Sequence, residues 1–343
     1  MELTPVPTRN LSDAALAAGA DLETAEGRRY MDAAKSKATR KAYASDWRVF
    51  ASWVATNYGA DLPQPDESGR VPLSEPVDPR LVIAYLNDRG PEHTSATLAR
   101  RLSAVRFHHH QAGIVSPTDH PQVSAVLAGI RNSHHYRPAR ATPLYLADLR
   151  AGIETLTDGM KSKRDHAVLS LGWWGAFRRS ELAGITFDQI TDHPEGLLVE
   201  LARSKTDQAG AGRQVPIHYR SAVMLCPVRA VRAWTDAASI TEGHLFRRVD
   251  RWGNVAEAPM SGETVATIVK ECAERIGLDP DDYSAHSLRA GFVSECDRRG
   301  IPTGAVRAVT GHKSEAMLSV YSRPAKTFAD SAGAYFEDGD LAR

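Results

Sequence analysis

The 343-residue chain predicts a mainly α-helical protein. An N-terminal all-helical bundle is followed by a mostly helical domain with a small antiparallel β-sheet. Three observations carry this expectation. Apolar residues recur at three- and four-residue intervals through most long segments, as on amphipathic helices. Strand-like alternation is confined to Leu197–Arg203 and Arg213–Ile217, on either side of the glycine-bearing loop SKTDQAGAG. A polar, basic, proline-punctuated stretch, NSHHYRPARATPLY at 132–145, separates the two halves.

Residues 1–30 are rich in alanine, proline and small polar residues and read as a loosely held arm. The bundle, 31–133, opens with a helix from Ser36 to Tyr58. Tyr43, Trp47, Phe50 and Val54 form its apolar stripe, and Lys37, Arg40, Lys41 and Arg48 lie mainly off it. A Pro/Gly/Asp loop leads to a helix over Asp78–Asp88, with Asp78 as N-cap and Pro79 in the first turn. Ser95–Gln111 carries Arg100, Arg101 and Arg106 beside Leu98, Leu102 and Val105, and Pro121–Arg131 completes the bundle. The run His108-His109-His110 points three ways around a helix, so it is not expected to hold a metal. After a linker at 134–145, the second domain spans 146–326. Its helices are expected at Leu146–Thr157, Arg164–Phe177, Ala222–Ala238 and Ser261–Gly277. Two shorter ones, Gly291–Arg299 and Thr303–Val309, are broken by Gly300-Ile301-Pro302. In the tail, 327–343, Ala332–Phe336 reads as a further helix.

Composition narrows the class. No apolar run approaches the roughly 20 residues that span a bilayer, and the N-terminus lacks a secretory layout. Cys226, Cys272 and Cys296 form no C-x-x-C pattern and read as reduced thiols of a cytoplasmic protein. Net charge is zero, yet residues 31–140 hold fourteen Lys and Arg against ten Asp and Glu. A basic region of that kind can meet phosphates although the whole chain is neutral.

The chemistry concentrates in residues 283–324. His286 and Arg289 stand one helical turn apart, His312 follows a Thr310-Gly311 turn, and Tyr321 comes nine residues later. A guanidinium fork, two imidazoles and a phenol suit a phosphodiester: the fork binds non-bridging oxygens and the phenol can attack phosphorus. Any one of these residues alone would mark an ordinary helix face; the ordered set is what points to chemistry.

That set resembles the C-terminal signature of the tyrosine recombinases, the phage integrase family. Two upstream segments extend the resemblance. LGWWGAFRRSELAGITFDQI resembles the family's first box, which makes Arg178 the catalytic arginine and Glu181 its supporting carboxylate, with Arg179 as the competing position. LLVELARSKTDQAGAGRQVPI resembles the hairpin that carries a mobile lysine, here Lys205. The resemblance implies catalytic residues Arg178, Lys205, His286, Arg289, His312 and Tyr321, a SAM-like core-binding bundle in the first half, and a clamp of two domains around DNA. It also implies a 3′-phosphotyrosine intermediate, a Holliday junction and no metal or other cofactor. The expected partners are double-stranded DNA with an inverted-repeat site and a homotetramer on it, with no membrane and a nucleoid location in a bacterial or phage setting.

The layout and the AGAYFEDGD tail look similar to the Cre-type recombinases, although Cre carries tryptophan where this chain has His312. That likeness places Thr39, Arg40, Lys41, Arg100 and Arg101 against DNA, and Glu263 in a major groove, where a carboxylate accepts from cytosine N4. The competing functions are a type IB topoisomerase-like relaxase, a non-catalytic DNA-binding accessory protein and a metal-dependent hydrolase.

Overall fold

The computed structural model describes residues 34–134, 141–201, 212–312 and 314. The chain divides into two compact units, residues 1–139 and 140–343. It is mainly helical with small antiparallel sheets.

The first unit holds α1 (Lys37–Tyr58), α2 (Pro79–Arg89), α3 (Ser95–Gln111) and α4 (Pro121–Ser133). Each start has a local cause. Ser36 and Thr94 cap α1 and α3 by accepting from the amides of Thr39 and Thr97, and Asp78 caps α2 ahead of Pro79. Gly59, at φ 64°, closes α1 in the left-handed region. Trp47, Phe50 and Val54 bury their stripe against Tyr85, Leu86, Leu98 and Val105. The rings of Phe50 and Trp53 meet Tyr85 edge-on at 5.2 and 5.1 Å. Buried indoles find acceptors: Trp47 Nε1 donates to the Pro63 carbonyl and Trp53 Nε1 to Asp88. His108 and His109 are both buried, and His110 is exposed. His109 accepts from the Val77 amide at Nε2 and donates to the Val105 carbonyl at Nδ1, so its two nitrogens are spent on the fold.

The second unit contains α5 (Leu146–Glu154), α6 (Met160–Trp174), α7 (Arg179–Gly184), α8 (Pro227–Ala237), α9 (Gly262–Arg275), α10 (His286–Arg298) and α11 (Thr303–Thr310). Strands β1 (Ile190–His193), β2 (Gly196–Leu201) and β3 (Arg213–His218) form one antiparallel sheet in that order. Strands β4 (Arg247–Val249) and β5 (Val255–Pro259) form a second. The sequence pattern shows only β2 and β3. The strands it misses are short and solvent-facing, without an alternating apolar face. Helix starts differ as well. Helix α6 begins at Met160 and carries the buried Arg164–Asp165 ion pair in its first turns. Helix α8 begins only at Pro227, after a 3₁₀ turn over Val223–Leu225. Helix α10 begins five residues before the expected Gly291, which puts His286 and Arg289 on its first turn. The expected arm and C-terminal helix lie outside the described residues, as does most of the β2–β3 loop. Among the described residues no helix is long and apolar enough to cross a membrane.

Two glycines set the spacing that matters for the site. At Gly172 of α6 a Cβ would meet Leu182 and Leu288 at 2.8 Å. At Gly291 of α10 it would lie 1.8 Å from the Leu144 carbonyl oxygen. That carbonyl accepts from Trp173 Nε1, while the Leu144 amide donates to the Ser287 carbonyl. The segment before α5 is thus pressed onto α10, and α10 onto α6. Gly291→Ala should therefore destabilise the protein by about 1–3 kcal/mol through overpacking, read as a lower urea midpoint; an unchanged midpoint would contradict this packing.

Candidate active site

Helix α6 stops at Gly175, and the chain turns through Ala176, whose φ of 46° is left-handed for a residue with a Cβ. The turn delivers Arg178 to the N-cap of α7 rather than into the helix. Glu181, one turn into α7, accepts from the Arg178 amide at 2.9 Å and from Arg178 Nη1 at 2.5 Å. One carboxylate therefore completes the helix cap and aims the guanidinium. Arg179, the competing position, instead pairs with Glu263 at 2.9 Å on an exposed surface.

Arg289 is 1% exposed. Its Nη1 donates to the Ala176 carbonyl at 2.6 Å and its Nη2 to the Thr310 carbonyl at 2.7 Å. Nη2 also lies 3.1 Å from His312 Nε2. Helix α11 ends at Gly311, φ 68°, and the following residue, His312, folds back so that Nδ1 lies 2.8 Å from the Thr310 hydroxyl. That hydroxyl donates to the Val306 carbonyl, so it accepts from a protonated Nδ1. The resulting tautomer turns the Nε2 lone pair toward Arg289.

Charge crowding is visible in the imidazoles. Burial, then Arg289 and Arg178 with smaller contributions from His286 and Arg213, push the His312 pKa down to about 4. His286 is lowered by desolvation among its neighbours and then by Arg289 and Arg178, although its side chain reaches solvent. Both rings are thus held toward the neutral form, first by burial and then by the positive charge of the neighbouring guanidinium groups. Such a pocket suits an anion.

The described structure brings together Arg178, Glu181, His286, Arg289 and His312. Lys205 and Tyr321 lie outside the described residues. Sequence reasoning missed Arg213, the first residue of β3, whose Nη2 donates to Glu181 Oε2 at 3.2 Å and Nη1 to the Val309 carbonyl at 2.7 Å. The signal was its phase: Arg213 shares a strand face with the buried Val215 and Ile217.

The expected DNA-contacting residues are placed on the surface with varied partners. Lys37, Arg40, Lys41 and Arg48 line an open concavity beside the loop from Asp66 to Gly69. The Thr39 hydroxyl meets Ser36 in the α1 cap. Arg100 is bound to the buried Asp46 at 2.9 Å, and Arg101 donates to the Tyr85 hydroxyl at 2.6 Å. Glu263, in the first turn of α9, is exposed and held by Arg179. Among the described residues no cluster of three or more His, Cys, Asp or Glu could hold a metal ion.

Comparison with known proteins adds to this geometry. Residues 144–327 match the Phage integrase family. The chain is 31% identical to an integrase/recombinase xerD homolog of Selenomonas ruminantium, over 90% of this chain and 87% of that one. It is 27% identical to tyrosine recombinase XerC of Pseudomonas fluorescens, over 71% and 74%. Its fold is similar to XerH site-specific recombinase bound to palindromic difH substrate in a post-cleavage complex. The TM-score there is 0.55 at 15% identity, covering 76% and 72% of the two chains. A lambda integrase(75-356) dimer bound to a COC′ core site gives 0.54 at 17% identity, covering 90% and 96%.

The neutral His312 has a spectroscopic consequence. A folded-state pKa below the unfolded value means that acid, not base, disfavours the native ring. Its contribution to stability is present above about pH 6.5 and is lost as pH falls toward 4. Imidazole ¹⁵N NMR should therefore show His312 neutral, with Nδ1 protonated, from pH 8 down to about 5, and Arg289→Gln should move its midpoint upward. A midpoint near 6.5 in the unmodified protein would contradict the account.

Proposed function

The chain belongs to the phage integrase family of tyrosine recombinases, and from that premise we propose that it cuts and rejoins DNA strands through a covalent 3′-phosphotyrosine. The observation that carries this reading is the convergence of Arg178, Arg289, His286 and His312 on one anion-attracting pocket.

In this reading the Tyr321 oxygen attacks the scissile phosphorus, the bond from phosphorus to the 5′ oxygen breaks, and Lys205 supplies the proton that the departing 5′ oxygen takes up. The phenol proton passes to His286, whose depressed pKa keeps a lone pair ready. Arg178 and Arg289 hold the non-bridging oxygens, which gain charge in the pentacoordinate transition state. Because Glu181 and the two carbonyls fix these guanidinium groups beforehand, little reorganisation remains for the reaction itself. His312 joins the clamp once the phosphate arrives, since a nearby anion opposes the charges that now keep it neutral and favours a proton on Nε2. The two guanidinium groups supply the charge stabilisation that a metal ion would otherwise provide.

The phosphotyrosine conserves the energy of the cleaved bond, so a 5′ hydroxyl from a second duplex can reverse the step without ATP. Exchange between two inverted-repeat sites then runs through a Holliday junction on a homotetramer. Its relatives carry Xer names, and the fold neighbours are recombinases bound to DNA. Both support a duplex DNA partner. We assign the first unit, 31–133, to binding the core site, with Thr39, Arg40, Lys41, Arg100 and Arg101 toward the phosphates. The catalytic unit is 146–326, with Glu263 as its base-reading residue. On binding, the exposed Arg179–Glu263 pair then loosens at little cost, whereas Arg100 is shared between the DNA and the buried Asp46 rather than released from it. The tail after Tyr321 serves contact between protomers, and the protein acts in the cytoplasm.

Nicked duplexes tiled across the DNA flanking its own gene should trap the protein covalently, seen as a retarded band on a denaturing gel, and Tyr321→Phe should abolish the band. A band that survives in Tyr321→Phe would remove the nucleophile assignment. Relaxation of one-site plasmids without exchange between two sites would favour a topoisomerase.

A further inference from the structure

We infer that Arg213 is a positioning residue for this reaction: one guanidinium fixes both the carboxylate that aims Arg178 and the turn that carries His312. The inference rests on the proposed reading of the pocket. Four observations lead to it. The Arg213 side chain is largely buried, at 14% exposure. Its two terminal nitrogens go to different elements, Nη2 to Glu181 Oε2 in α7 and Nη1 to the Val309 carbonyl in the last turn of α11. Glu181 is shared, since Oε1 takes Arg178 Nη1 while Oε2 takes the Arg178 amide and Arg213.

The fourth observation is Gly311. A Cβ there would stand 2.7 Å from Arg213 Nη1 and 3.3 Å from its Cδ and Cζ. The glycine next to His312 is therefore required twice, for its φ of 68° and for the room the guanidinium occupies. Arg213 also opens β3, paired across from Leu201 at the end of β2. The loop that carries Lys205 springs from this pair. One side chain thus ties the hairpin base, the α7 cap and the His312 turn together. A buried ion pair contributes little net stability against an apolar replacement, whereas a fixed fork between three segments supplies geometry. Without it, Glu181 answers to Arg178 alone and the turn at Val309–Gly311 loses its anchor.

The test is a single-turnover cleavage assay on the nicked duplexes, with wild type, Arg213→Lys, Arg213→Met, Glu181→Gln and the Arg213→Met/Glu181→Gln double variant. DNA affinity and Tm are measured beside it. Arg213→Met should slow cleavage by about 10- to 100-fold, the scale of a small misplacement of catalytic groups, with DNA affinity within about threefold. Arg213→Lys keeps the charge but reaches one partner at a time, and its rate should fall between. The double variant should lose less than the product of the two single losses, because both residues act in part through one carboxylate. Wild-type cleavage by Arg213→Met, or losses that multiply in the double variant, would overturn the inference while the adduct formed by wild type leaves the proposed function standing. Should Arg213→Met fail to fold, a wild-type rate in Arg213→Lys overturns it instead. No adduct from wild type on any duplex would sink the proposed function and this inference together.

Discussion

The second unit is built around a guanidinium that water does not reach. Arg289 lies on the first turn of α10 with 1% exposure, fastened to the carbonyls of Ala176 and Thr310. Burying a charge is costly unless oriented dipoles replace its water, and these two carbonyls come from segments 134 residues apart in the chain, at the ends of α6 and α11. Much of the local architecture serves to bring them there. Gly172 and Gly291 let α6, α10 and the Leu144 segment approach closely, and Ala176 adopts its left-handed turn so that its carbonyl faces the arginine. The same arrangement puts His312 beside Arg289.

Around that centre the charges are unevenly balanced. Glu181 meets two arginines, Arg178 and Arg213, and its carboxylate is 7% exposed. Burial, and after it the nearby arginines, lower the pKa values of His286 and His312. Arg178, Arg213 and Arg289 stand near this one carboxylate, and a surplus of positive charge suits the anion of the proposed chemistry, most of all as its oxygens gain charge.

Much of this was legible in the sequence, for identifiable reasons. Apolar period and the Asp78 cap located α1 to α4 closely, and the caps Ser36, Asp78 and Thr94 act within their own segments. The one-turn spacing of His286 and Arg289 and the Thr310-Gly311 turn before His312 are also local, and Arg178 was preferred to Arg179 from its neighbours. What escaped depends on distant partners. Strands β1, β4 and β5 are defined by pairing rather than by an apolar face. Arg213 resembles a surface charge at the start of a strand until Glu181 and Val309 are placed against it. The sequence places Arg100 and Arg101 against DNA but not their partners in the fold, because Asp46 lies 54 residues from Arg100 and Tyr85 lies 16 from Arg101. The Cre-type likeness rests on the layout and the tail together, and the tail lies outside the described residues.

The central claim is that Arg178, Arg289 and His312 form a ready clamp for one scissile phosphate. The most direct measurement is an experimental structure of Tyr321→Phe bound to its own cleavable duplex. The account predicts non-bridging oxygens within about 3 Å of both guanidinium groups. It also predicts His312 turned from acceptor toward Arg289 to donor toward the phosphate, and Glu181 still bridging Arg178 and Arg213. A scissile phosphate seated away from Arg289, or a pocket that must be rebuilt to receive it, would contradict the account.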